Sequence, residues 1–174
     1  MFALRYEPPA EEPSDAYPFR LTTGRVVYHY LSGTQTRRLG FLNSQAPDPW
    51  VEIHPMMAER LGIRDHEIVR VRTPRASMEL QALVVPTIRP DTLFIPFHYG
   101  HSGAANLLTN PAVEPACKIP EYKVCAATVE RLGAAPVNGA ASPCENYTPT
   151  SDPKMFPYAV GETKTPASQE AKRF

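Results

Sequence analysis

No apolar run in the chain approaches the roughly 20 residues that a membrane-spanning helix needs. The first residues, Met1-Phe2-Ala3-Leu4-Arg5-Tyr6-Glu7-Pro8-Pro9-Ala10, lack both a basic start and an apolar stretch. These absences argue against membrane insertion by this chain and against a signal peptide. Net charge is missing too: 18 basic side chains balance 18 acidic ones, which disfavours the broad basic footprint of a nucleic-acid binder. Cysteine is scarce. Cys117, Cys125 and Cys144 form no CxxC and leave an odd one over, so neither a disulfide framework nor a zinc or iron–sulfur site built by this chain alone is expected. A reducing, cytoplasmic setting fits, and export as the passenger of another subunit stays open. No nucleophile–base pairing and no carboxylate pair stands out, so no catalytic residue and no metal ligand is assigned.

Proline, by contrast, is abundant, with 20 in 174 residues, and its uneven spacing marks boundaries. Residues 1–17 contain Glu7-Pro8-Pro9-Ala10-Glu11-Glu12-Pro13 and read as an extended Pro/Glu-rich linker. Residues 133–174 are rich in Pro, Ala, Thr and Ser without a sustained apolar period, and read as a disordered tail or as an arm lying on a partner. The folded part is expected at 18–132.

Within it, Phe19-Arg20-Leu21 and Val26–Tyr30 look like strand material on either side of a turn at Gly24. Trp50–Ile53 is a short strand running into a helix that starts at Pro55 and ends before Gly62. Glu67–Arg72 and Met78–Val85 alternate at period two, joined as a hairpin by Thr73–Ser77, and Thr92–Ile95 and Val124–Val129 add two strands. Many short strands with few helices imply a closed, mainly β barrel. Arg70 and Arg72 are expected to be solvated, and Met56 and Met57 to be packing residues.

One stretch concentrates chemistry. From Thr22 to Arg38 there is no carboxylate, while Thr22, Thr23, Ser32, Thr34 and Thr36 offer hydroxyls and Arg25, Arg37 and Arg38 offer planar forks. Gly24 and Gly33 permit positive φ and close backbone approach. Such a stretch suits a large anionic ligand, most naturally one bearing pyrophosphate. It also reads as a polar loop with scattered arginines, being neither a Walker loop nor the dinucleotide glycine fingerprint.

The order Leu21-Thr-Thr-Gly-Arg25, His29, Ser32-Gly-Thr-Gln-Thr-Arg-Arg38, Val51-Glu-Ile-His-Pro55, Ala58, Leu61-Gly-Ile63, Pro96-Phe-His98, Asn106-Leu-Leu-Thr109 and Lys118-Ile-Pro-Glu-Tyr-Lys123 resembles one family over 18–132. It is similar to the C-terminal molybdopterin-dinucleotide-binding domain of the dimethyl sulfoxide reductase superfamily, especially formate dehydrogenases and nitrate reductases. The resemblance implies a double-psi β-barrel of the aspartate decarboxylase-like kind, with short helices. It implies that the first barrel turn wraps one of two pterin guanine dinucleotides through Thr23, Gly24, Arg25, His29, Ser32, Gly33, Thr34 and Thr36, with Arg37 beside them. Asn106 and Lys123 map onto two later cofactor contacts, and His98 onto a position facing the active-site funnel. Read without the family, Lys123 is equally a solvated strand-end lysine, Asn106 a turn cap and His29 a hydrogen-bonded core imidazole. His54 reads as the cap before Pro55, and Tyr99 and His101 as rim or solvent. Leu31, Met57, His66, Ala76 and Cys117 depart from the family pattern. The departures at His66 and Ala76 predict turns that are strained or differently shaped, and Cys117 reads as a small buried substitute.

What the resemblance implies for function is a cofactor-binding small subunit, or C-terminal portion, of a molybdenum or tungsten oxidoreductase. The bis-(molybdopterin guanine dinucleotide) cofactor would be shared with a large catalytic subunit carrying an iron–sulfur cluster. The metal ligand and four-cysteine motif of complete enzymes are missing here, so this chain is not expected to turn over substrate alone. The alternatives are a non-catalytic barrel for cofactor delivery or protein contact, or an inactive fragment.

Overall fold

Six strands close on themselves in the computed structural model, which describes residue 3 and residues 5–132; the reading of 133–174 as a tail lies outside the described residues. They are β1 (Phe19–Gly24), β2 (Trp50–Ile53), β3 (Ile68–Arg72), β4 (Ser77–Val84), β5 (Thr92–Pro96) and β6 (Cys125–Arg131). Two short helices, α1 (Gly40–Gln45) and α2 (Pro55–Leu61), join them. Around the barrel the order is β1-β5-β2-β4-β3-β6. β1 runs parallel to β5 and β2 parallel to β4, while the other pairings are antiparallel. This is the closed double-psi barrel, and closure leaves no strand edge to template foreign pairing.

Alternation decides which side chains point inward. Leu21, Val51, Ile53, Val69, Val71, Leu80, Ala82, Leu93, Ile95 and Ala127 are all buried in one core. Facing outward on β3, Arg70 meets Glu79 at 2.7 Å and Glu130 at 3.3 Å, and Arg72 meets Glu130 at 3.0 Å. The expectation that both arginines are merely solvated is therefore corrected: they form a cross-strand ladder over β4, β3 and β6. At such exposure solvent screens each pair and its contribution to stability is small.

α2 follows its sequence signals. His54 Nδ1 accepts the Met56 N–H at 3.1 Å, Pro55 occupies the first turn, and Gly62 closes the helix at φ 66°. Met57 is buried beneath the helix, but Met56 is 64% exposed, so only one of the two methionines packs.

Two other expectations are corrected. Val26–Tyr30 is not a strand: the His29 N–H turns back to the Val26 carbonyl at 3.3 Å. The reason is topological. Both edges of β1 are already taken by β5 and β6, so no hairpin partner is left for Val26–Tyr30. Cys117 is exposed rather than buried, because it sits on a turn in which the Glu114 carboxylate accepts the N–H groups of Ala116 and Cys117. The turn at His66 does adopt positive φ (62°), whereas Ala76 does not.

Candidate functional site

Parallel pairing of β1 with β5, in the register Gly24↔Pro96, brings the chain out of both strands at one end of the barrel. β6 is antiparallel to β1, with Leu21 opposite Cys125, so the chain enters β6 at that same end. Every residue singled out from sequence, from Thr23 to Thr36 and at 98, 106 and 123, thus lies in segments leaving or entering one end. The sequence shows these segments; only the register shows that they share an end.

Gly24 is needed for a reason other than the one expected. Its φ is not positive; a Cβ there would lie 2.4 Å from the Phe94 ring. Gly33 needs glycine twice over. Its φ is 71°, and a Cβ would lie 2.6 Å from the His98 carbonyl oxygen.

His98 is fully buried and holds the loop 25–31 from both sides. Its Nε2 accepts the Val26 N–H at 2.9 Å, so its Nδ1 carries the proton and donates to the Leu31 carbonyl. Burial holds this imidazole below the usual histidine range, with nearby His29 and Arg25 acting in the same direction. His29 is buried beside it, with ring centroids 5.8 Å apart. Its Nε2 donates to the Ala46 carbonyl at 2.7 Å, leaving Nδ1 to accept from the Thr36 hydroxyl at 3.2 Å. Thr36 Oγ1 in turn accepts the Tyr30 N–H. Tyr99, expected at the rim or in solvent, is instead buried, because its hydroxyl donates to the Ala46 carbonyl at 2.9 Å and the Arg37 guanidinium stacks 5.2 Å from its ring. Buried aromatic contacts of this kind leave no periodic trace in a loop sequence. The one available signal was the Pro-Phe-His-Tyr run directly after β5.

The outward side of this scaffold is cationic. Lys123 donates to the Thr23 carbonyl and lies 4.8 Å from the Tyr122 ring centroid and 5.3 Å from that of Phe97. The Thr23 hydroxyl donates to the Tyr122 carbonyl at 3.2 Å. Burial, then the positive charge of Arg25, hold the Lys123 ammonium below its ordinary value. Arg25 is exposed, and among the described residues its guanidinium has no hydrogen-bond or ion-pair partner. Ser32 and Thr34 are exposed and bond each other at 2.7 Å. Asn106 stands apart, exposed on the turn Ala105–Leu107, and no hydrogen bond among the described residues ties its side chain to this group. No cluster of His, Cys, Asp or Glu among the described residues could hold a metal ion, and no described helix is long and apolar enough to cross a membrane.

Residues 19–126 of this closed β-barrel match the family described as "Molydopterin dinucleotide binding domain", and the chain belongs to that family. Among curated proteins it is 46% identical over 132 residues to the F420-dependent formate dehydrogenase 1 subunit alpha of Methanococcus maripaludis, covering 76% of this chain and 19% of that protein. It is 41% identical over 121 residues to the assimilatory nitrate reductase catalytic subunit of Bacillus subtilis, covering 70% of this chain and 17% of that one. The chain thus spans about a fifth of the length of these relatives. Acetylene hydratase from Pelobacter acetylenicus shares the fold, with a TM-score of 0.65 at 20% identity over 73% of this chain and 21% of that one. It is a molybdopterin-dinucleotide-binding domain similar to part of those formate dehydrogenase and nitrate reductase subunits.

Proposed function

We propose that this chain holds one pterin guanine dinucleotide of a molybdenum or tungsten bis-pterin oxidoreductase and completes a larger catalytic portion that carries an iron–sulfur cluster. The observation that carries this reading is the pair Arg25 and Lys123: the Lys123 ammonium, held to the Thr23 carbonyl, is disfavoured by burial and by the Arg25 charge, and no carboxylate among the described residues is bonded to either. A pyrophosphate there relieves that repulsion and accepts charge-assisted hydrogen bonds from both. The surrounding groups fit the same ligand. Gly24 keeps the strand end low, Ser32 and Thr34 offer exposed hydroxyls, and Asn106 can donate to and accept from a pterin or guanine edge. His29, Thr36, Gly33, Arg37 and His98 set the loop from beneath. When bound, the cofactor supplies redox chemistry at its metal, while this chain's groups bind and orient it. The compartment proposed is the cytoplasm.

Two further facts support a larger assembly. The chain spans only about a fifth of the length of the relatives it matches. Val27, on the loop after β1, and Phe41, on α1, are 90% and 76% exposed, apolar side chains that suit coverage by protein.

The test is a gentle pull-down of the full chain from its native host, with mass spectrometry of partners and metal and pterin analysis of the eluate. A large partner with a four-cysteine motif, together with molybdenum or tungsten and pterin, is expected. Arg25→Ala and Lys123→Ala should each lower pterin retention about tenfold or more. A lone chain without metal, or variants that retain pterin like the parent, would overturn the reading.

A further inference from the structure

The N-terminal segment is bonded to the barrel at two points, and both lead to the candidate site. The Ala10 N–H donates to the Glu121 carboxylate at 2.9 and 3.2 Å, two residues before Lys123. Glu11 is three-quarters enclosed or more, with its side chain 17% exposed, and makes a two-pronged pair with Arg75 at 2.8 and 3.2 Å. One of its oxygens also accepts the Ala126 N–H of β6 at 3.0 Å. Arg75, on the turn between β3 and β4, spends its remaining donors on the Leu108 carbonyl at 2.9 and 3.3 Å. Leu108 follows the turn that carries Asn106. A single carboxylate therefore links the N-terminal segment, the β3–β4 turn, the Asn106 turn and the start of β6, three residues after Lys123.

We infer that Glu11 is a positioning residue, a latch by which the N-terminal segment sets the placement of the Asn106 turn and the Lys123 segment. This rests on the proposed cofactor site for its consequence, but not for its mechanics. The turn lies midway along the excursion from β5 to β6 and the segment at its end, and the excursion contains two 3-10 turns and one isolated bridge but no α-helix or strand to stiffen it. Asn110 provides an internal tie, donating to the Glu121 and Val124 carbonyls at 2.9 and 2.8 Å. The Glu11–Arg75 pair adds a carboxylate-to-guanidinium link to that excursion through the Leu108 carbonyl. Fork-to-fork geometry gives direction as well as attraction, and it fails if the carboxylate is shortened or made neutral.

The test is hydrogen–deuterium exchange on the full chain, comparing the parent with Glu11→Ala, Glu11→Gln and a core truncation, Val69→Ala. In Glu11→Ala, amides in 105–111 and 121–126 should exchange about tenfold faster, with Glu11→Gln intermediate. Val69→Ala should lower the melting temperature without singling out those amides. Exchange unchanged at both segments, or faster only within 5–17, would overturn the latch. Pterin release from the purified complex is read alongside. Faster release in Glu11→Ala but not in Val69→Ala supports positioning, and equal release in both overturns it. If the parent itself carries no pterin, the proposed function fails, while the exchange comparison still decides the latch.

Discussion

At the scale of single residues, the two loop glycines separate conformational need from steric need. Gly33 combines positive φ with a Cβ position 2.6 Å from a backbone carbonyl, which cannot swing aside. Gly33→Ala is therefore expected to destabilise the protein by about 1–3 kcal/mol, seen as a lower melting temperature. Gly100→Ala is the control: a Cβ there meets nothing within 4 Å and φ is negative, so the melting temperature should hold. The sequence made Gly33 visible as a member of a Ser-Gly-Thr run, but not the carbonyl above it. Gly24 was legible as necessary and misread as to cause, since the Phe94 ring that demands it lies 70 residues away in a strand paired only by the fold.

At the scale of elements, the loop 25–38 behaves as a built part rather than a polar connection. His98 on the chain after β5 binds Val26 and Leu31 at once, which makes the loop's shape depend on one neutral imidazole. Its folded value lies below the ordinary one, so the unfolded chain takes up a proton first as pH falls. Stability from the neutral ring is full above about pH 6.5 and is lost on acidification through and below that value. The parent's melting temperature should therefore drop between pH 7.5 and pH 5 by more than that of His98→Gln, which should melt lower at pH 7.5 because two backbone groups lose their buried partner. Equal pH slopes in both proteins would refute the assignment. α2 needed no such help. His54, Pro55 and Gly62 are local signals, and all three act where the sequence put them.

At the scale of the whole molecule, the distribution of apolar surface matters more than its amount. The barrel interior is filled, yet Val27, Tyr30 and Leu39 on the loop after β1 and Phe41 on α1 stand exposed. In a domain spanning a fifth of its relatives' length, such a surface is expected to meet protein. Hydroxyl-radical footprinting should find Tyr30 and Phe41 strongly labelled in the isolated chain and protected in the complex. Labelling that does not change on assembly would place the interface elsewhere.

The sequence by itself determined the family, the mainly β class, the position of five of the six strands to within two residues, and the carboxylate-free stretch that suits an anion. Those features are local: alternation, capping residues and composition act over a few positions. Tertiary structure decided the rest. It turned Val26–Tyr30 into a loop because β1 had no free edge, paired Arg70 and Arg72 with acids on neighbouring strands, and buried Tyr99 against Ala46. It also set Arg25 beside Lys123, because β1 and β6 share a register in which Leu21 faces Cys125. Strand pairing across the length of a chain depends on which edges remain open once the barrel closes, and no window of neighbouring residues contains that information.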